Sequence, residues 1–307
     1  MKKIFKYIKY TLEARAPLPV YWEMRKGIWR VIRNRLFKKN YKLIERPKIT
    51  IDQLRYSLLK VGLRKGDTVF VHSGIGNIGI FEGGRKKIFE ILLDIIDIDK
   101  GNILFPTFSF FPRMIDYLES NPIFDVRSAP SYMGSLTQYA LKSGLGKRSI
   151  NPTHSVLCIG KDQDWLAGEH HLCKTPFCDK SPFYRYLKLR NAKILLIGVD
   201  TDAITTIHAV EDSINFPINV YTSKIYNINC INWFGEKIIV ETRSHNPVVS
   251  LSRNTRRFDE IFRKKCFIGE EKIGLGKIIL IDAKKFFDLL VELAKSGYTV
   301  YGKTKLF

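Results

Sequence analysis

Short, continuous apolar runs bounded by turn residues recur along the chain, at residues 67–72 (DTVFVH), 102–106 (NILFP), 156–159, 194–197 (ILLI) and 277–281 (KIILI). Runs of this length without polar alternation predict strands buried on both faces, as in parallel sheets. Between them, apolar positions at helical spacing predict helices. Thr50 with Gln53 three residues on is a capping-box pattern, and the helix it opens runs to about Val61, with Gly62 as its stop. Further helices are expected over 85–96, 134–143, 165–171, 256–264 and 283–295, and one starts at Ser181-Pro182, where proline suits the first turn. Residues 220–240 read as short strands joined at Asn227-Ile228-Asn229 and Phe234-Gly235-Glu236, a hairpin or meander. Residues 110–135 form a long loop with short helical pieces, and long ordered loops are often functional. The fold expected is α/β, with a mixed, largely parallel central sheet flanked by helices.

The N-terminal stretch differs. Residues 1–46 read as two basic helical segments broken at Ala16-Pro17-Leu18-Pro19. In the second, Tyr21, Met24, Ile28, Val31, Ile32 and Leu36 recur at helical spacing among arginines and lysines. The chain thus divides into a basic extension, 1–46, and a domain, 47–307. Residues 1–50 hold fifteen Lys or Arg against three Glu, so more than half of the net charge of +21 lies there. The amphipathic stripe suits docking on the chain's own domain, and the basic face suits peripheral contact with an anionic membrane. Nucleic acid is not the expected partner, and the oligomeric state is left open. No apolar run nears the roughly 20 residues of a membrane span, and no secretory signal is evident, so the expected location is cytoplasmic, with the arm able to reach the inner face of the membrane. Five cysteines, none in C-x-x-C spacing, suggest reduced thiols rather than a disulfide framework, and Cys173 and Cys178 beside His170 and His171 match no common zinc signature.

Residues 192–212 carry the densest chemistry. The 194–197 run ends at Gly198, and a polar loop with Asp200, Thr201, Asp202 and Thr205 leads to a helical segment bearing His208 and Glu211. Three apart on a helix, these two share a face. Open α/β folds put ligands where a strand hands over to such a loop. In isolation, a helical H-x-x-E is more readily a cap and an ion pair. Residues 73–79 (SGIGNIG) form a second strand-to-helix turn, whose backbone amides can approach an anionic or carbonyl-rich ligand. It matches neither the dinucleotide fingerprint nor the P-loop.

Six segments in order, VHSGIGNIGIFEGG (71–84), LFPTFS (104–109), FDVRSAPSYMGSL (124–136), KRSINPTHSVLCIG (147–160), EHHLCKTPFCDKSP (169–182) and KILLIGVDTDAITTIHAVE (193–211), make the chain over residues 50–295 resemble the aminoglycoside 3-N-acetyltransferase family. The resemblance implies an acyltransferase that uses acetyl-CoA, with no metal expected. It implies cofactor contacts from His72, Ser73, Gly74, Ile75 and Gly76, from Thr107, from Ser131, Met133 and Gly134, and from Arg148 and Ser149. It implies a catalytic histidine at His170 or His171, with His208 and Glu211 orienting it or holding the amine. An amine must shed a proton before it attacks a thioester, so a histidine base and amides of the 73–76 loop around the oxyanion fit direct transfer. The chain departs from the family in its basic arm and in having no especially acidic acceptor region. So basic a protein repels polycations, which favours a single amino sugar, nucleotide- or lipid-linked, over an aminoglycoside antibiotic. Two other readings remain open: a metal-dependent hydrolase using His154, His170, His208 and Glu211, and a non-enzymatic module that binds anionic ligands.

Overall fold

In the computed structural model, residues 46–110 and 113–303 are described. The two basic helices expected over residues 1–46 therefore lie outside the described residues, apart from Arg46. The main elements, in chain order, are α1 (Ile51–Lys60), β1 (Thr68–Ser73), α2 (Gly84–Ile96), β2 (Asn102–Pro106), α3 (Ser135–Lys142), β3 (Lys147–Arg148), β4 (Val156–Gly160), β5 (Ala192–Ile197), α4 (Ala209–Ser213), β6 (Tyr221–Ile231), β7 (Lys237–His245), α5 (Pro247–Leu251), β8 (Phe267–Ile273), β9 (Gly276–Asp282) and α6 (Ala283–Lys295). The capping box at α1 is present in both directions, Thr50 Oγ1 accepting from Gln53 N and Gln53 Oε1 from Thr50 N.

A seven-stranded sheet runs β8-β9-β5-β1-β2-β4-β3. It is mixed, as expected, but its parallel part is confined to β5, β1 and β2; β9 joins β5, and β4 joins β2, antiparallel. The apolar runs look alike in both settings because both sheet faces are covered. Alternate residues divide between two cores. Phe70, Leu104, Ile194 and Leu196 pack toward α6, while Val69, Val71, Ile103, Leu195 and Ile197 pack toward α1, α2 and α3. This three-layer arrangement leaves the carboxyl ends of β1, β2 and β5 as one open edge, where their loops meet.

The hairpin β6–β7 is longer than the expected meander and reaches His245, pairing with Phe124–Asp125 through β6. Its inward face beyond Val240 carries Thr242 and Ser244, buried but polar, so hydrophobic alternation does not mark the strand's true end. A register shift between Arg243 and His245 re-aims the last side chain. Strand β8, which pairs β9, was not anticipated: it alternates intermediate and exposed positions and buries only Ile273.

Candidate active site

Two loops touch backbone to backbone at the open edge. Gly198 has φ +69°, and a Cβ there would meet the Gly74 carbonyl at 2.7 Å; a Cβ on Gly74 would meet Val199 Cγ1 at 2.9 Å. Only glycine permits that approach. Gly74 N donates to Ile197 O, and Asn77 Nδ2 donates to Gly198 O, both at 2.8 Å. Gly134, with φ +99°, stands over the Ser73 carbonyl. The structure thus brings Gly134 against Ser73, with Gly74, Ile75 and Gly76 following in the same turn. Met133 beside them is half-buried against the core.

The other cofactor residues implied by the resemblance sit deeper. Arg148 is buried and donates to Thr107 Oγ1 (3.1 Å), Ser155 Oγ (3.0 Å), Thr107 O (2.6 Å), Ser109 Oγ (3.0 Å) and Ala129 O (2.5 Å). Burial lowers this guanidinium to about 10, so it stays charged at neutral pH. It staples the loop after β2 to the segment before β4. Ser131 Oγ accepts from Met133 N, and Ser149 Oγ accepts from Val156 N. Thr107, Ser131, Arg148 and Ser149 are therefore buried, each in hydrogen bonds within the protein. His72 is buried and stacked on Phe70 at 5.1 Å, with its Nε2 unpartnered among the described residues.

The histidine pair also differs from expectation. His170 is fully buried. Its Nε2 lies 2.8 Å from Pro176 O and its Nδ1 2.8 Å from Ser149 Oγ. A carbonyl can only accept, so Nε2 carries the proton and Nδ1 accepts from the serine. Both nitrogens are spent inside the protein, and burial lowers the imidazole to about 3. With both nitrogens so engaged, His170 has no free lone pair to offer a substrate or a metal in this arrangement. His171 is half-buried with its Nδ1 unpartnered among the described residues.

His208 and Glu211 do come together, with company the sequence did not reveal. Glu211 is buried at the start of α4. Its Oε1 accepts from His208 Nδ1 (2.9 Å) and from Tyr301 Oη (2.5 Å), and its Oε2 accepts from His245 Nε2 (2.8 Å). Burial alone would raise this carboxyl, but the two imidazoles override it and hold it well below the usual range. Burial lowers His208 to about 4, with Glu211 pulling the other way. At neutral pH the centre is a carboxylate beneath a neutral His208, whose Nδ1–H is committed to Glu211 and whose Nε2 keeps its lone pair. His154 stands against the cluster, its ring 4.4 Å from Phe108, 4.7 Å from Phe177 and 6.4 Å from His245. Donor atoms of His208, Glu211 and His245 all lie within 4.8 Å of one another. These are ligand types a divalent metal takes, but the nitrogens facing Glu211 are the ones carrying its hydrogen bonds.

The cysteine expectation is overturned. Cys173 and Cys178 are joined as a disulfide with Cα atoms 5.7 Å apart, and Cys158, Cys230 and Cys266 are free and buried. The loop so closed presents Phe177 to His154, His208 and His245, gives Pro176 O to His170, and ties Thr175 Oγ1 to Asp212 at 2.6 Å. Thiol titration of the unfolded protein is expected to count the three free cysteines without reductant and all five with it. Reduction of the native protein is expected to lower turnover several-fold by loosening Phe177. Five thiols without reductant would remove the bridge.

The described residues thus combine a mixed α/β sheet, a buried hydrogen-bonded His–Glu centre and a glycine-rich turn after β1. Residues 70–295 match the model of the aminoglycoside 3-N-acetyltransferase family, and the chain belongs to that family. It is 27% identical over 246 residues to the aminoglycoside N(3')-acetyltransferase-like protein YokD of Bacillus subtilis, covering 75% of this chain and 84% of that one. It is 25% identical to aminoglycoside N(3)-acetyltransferase III of Serratia marcescens, over 53% of this chain and 64% of that enzyme. In structure it is similar to YokD (TM-score 0.66, 22% identity, 80% of this chain and 93% of that one) and to AAC-IIIb solved with CoASH (TM-score 0.65, 18% identity, 81% and 97%).

Proposed function

We propose that the protein transfers the acetyl group of acetyl-CoA directly to the amine of an amino sugar, with His208 as general base. The observation that carries this reading is the buried Glu211 carboxylate, which takes three hydrogen bonds, one from His208 Nδ1, while His208 Nε2 has no hydrogen bond among the described residues. His208 Nε2 accepts the proton of the incoming ammonium, and Glu211 stabilises the imidazolium that results. His245 and Tyr301 fix the carboxylate. The freed amine attacks the thioester carbonyl, the C–S bond breaks and CoA leaves as the thiol with the proton from His208, while the backbone amides of Ile75 and Gly76 supply the oxyanion's donors. The CoASH in AAC-IIIb and the sisomicin in a second neighbour, AAC-VIa, support the two substrate classes.

The acceptor is a compact amino sugar, nucleotide- or lipid-linked, rather than a polycation. An aminoglycoside needs open carboxylates, and those described around the centre are engaged: Glu211 by two histidines and a tyrosine, Asp212 by Thr175, and Asp200 and Asp202 by Arg256.

The test is calorimetric titration of acetyl-CoA, then thiol release over a panel of amino sugars. Among the described residues a Cβ on Gly76 would have only Arg46 Nη2, at 4.0 Å, nearby, so Gly76→Trp is expected to fold and to block the turn. Binding lost in that variant, with amine-dependent thiol release in the wild type, is the expected result. No acetyl-CoA binding by the wild type overturns the reading.

A further inference from the structure

Arg253, half-buried, stands beside the centre without a carboxylate of its own among the described residues. After β7, Asn246 caps the short α5, its side chain accepting from Val248 N, and the chain turns back at Ser252–Thr255. This turn is pinned on two sides. Asn254 N donates to Val300 O at 2.7 Å, next to Tyr301, and Thr255 N donates to Asp202 Oδ1 at 2.9 Å, in the loop that ends at His208. Arg253 lies between the two anchors. Its Nη2 donates to the Asp202 carbonyl at 3.2 Å, and it makes no ion pair among the described residues. The acidic groups that could have neutralised it are taken: Asp200 and Asp202 by Arg256, and Asp259 by Thr201. Its charge reaches the centre. Burial lowers His208 and Arg253 adds to that; burial and Glu211 raise the Tyr301 phenol, and Arg253 works against the rise.

A guanidinium held half out of water with donors to spare is suited to a ligand oxyanion, which it can meet with paired hydrogen bonds. We infer that Arg253 reads an anionic substituent, phosphate or carboxylate, on the acceptor sugar, so that the substrate class is amino sugars bearing an acidic group. This rests on the acetyl transfer proposed above and narrows it. It also gives the net charge of +21 a use, since a basic protein gathers an anionic acceptor as readily as it repels a polycation.

The experiment compares kcat/KM for glucosamine, glucosamine 6-phosphate, UDP-glucosamine and glucosaminuronic acid, at fixed acetyl-CoA, in the wild type, Arg253→Gln and Arg253→Lys. The wild type is expected to prefer an anionic acceptor over glucosamine by roughly tenfold to a hundredfold, the scale of one charge-assisted contact. Arg253→Gln is expected to bring that ratio near unity, and Arg253→Lys to keep part of it, a rescue that a merely structural role would not give. The phosphate and uronate arms tell which oxyanion is read. Equal use of charged and neutral sugars by the wild type overturns the inference. So does an Arg253→Gln variant that loses all acceptors in proportion, or one that raises the KM for acetyl-CoA instead, which would assign Arg253 to the coenzyme's phosphates. Thiol release with no amine at all overturns the transfer reading itself, and is distinguishable from these outcomes.

Discussion

Glu211→Gln is expected to lower kcat/KM for acetyl transfer by about a thousandfold, within the range that a positioned general base supplies. The variant is suited to the test because the pocket can accommodate it. The glutamine oxygen can still accept from His208 and Tyr301, and its NH2 can face His245 if that imidazole shifts its proton to the other nitrogen. What it removes is the charge that stabilises the His208 imidazolium. His208→Asn removes the base directly and should cost a similar factor. The double variant should be little worse than either single one, since the two groups act as a unit. The pH profile adds a second readout. Glu211 raises the His208 pKa against the effect of burial, so the acid limb of kcat/KM should move to lower pH in Glu211→Gln. Wild-type rates in either single variant would place the base elsewhere.

Folding stability is expected to drop steeply as the pH falls below 6.5, the ordinary value of these histidines. Burial lowers His72 and His170 to about 3, His208 to about 4 and His154 well below its usual range. Each is neutral in the fold and binds a proton more readily when unfolded. Stability is therefore complete above 6.5 and is lost as pH falls toward the folded values, each group contributing up to about 1.4 kcal/mol per pH unit. Asp212 opposes them: burial raises its carboxyl to about 6, so from there down toward its ordinary 3.8 it favours the fold as pH falls. Three groups' worth of net loss remains, several kcal/mol by about pH 5, a large share of a typical folding free energy. Urea unfolding at neutral pH and at about pH 5 measures it. His170→Gln, whose amide can span Ser149 and Pro176, should reduce the slope by about one proton. A folding free energy that stays level through this window would mean these imidazoles are not held neutral.

Much of the scaffold is legible in the chain. The runs at 102–106 and 194–197 need no partner to declare themselves, and Thr50 with Gln53 marks a helix start to the residue. His208 with Glu211 was visible because the pair is local. His245 and Tyr301 were not, because nothing near them in sequence marks them out: the first is aimed by a bulge at the end of a strand whose inward face is polar, and the second sits in the two-residue turn of a short hairpin, Tyr298–Thr299 with Gly302–Lys303, after α6. His170 was visible for the wrong reason. Its neighbourhood resembles the family, but the imidazole is committed to Ser149 and Pro176, which only the fold brings to it. The disulfide escaped for a similar reason. An odd cysteine count argues about the whole chain, whereas the bridge depends on one loop doubling back over five residues.

The centre on Glu211 is assembled from distant parts of the polypeptide: His208 beside it, His245 at the end of a hairpin, Tyr301 some ninety residues on. Contacts at such separations form late, because the loop-closure entropy must be overcome before they reward the chain. The helical signal of α2 and α6 can thus return early in refolding, while Glu211 still lacks its donors. Recovery of catalysis should trail recovery of helix, making acetyl transfer a reporter of the last docking event in folding rather than of collapse.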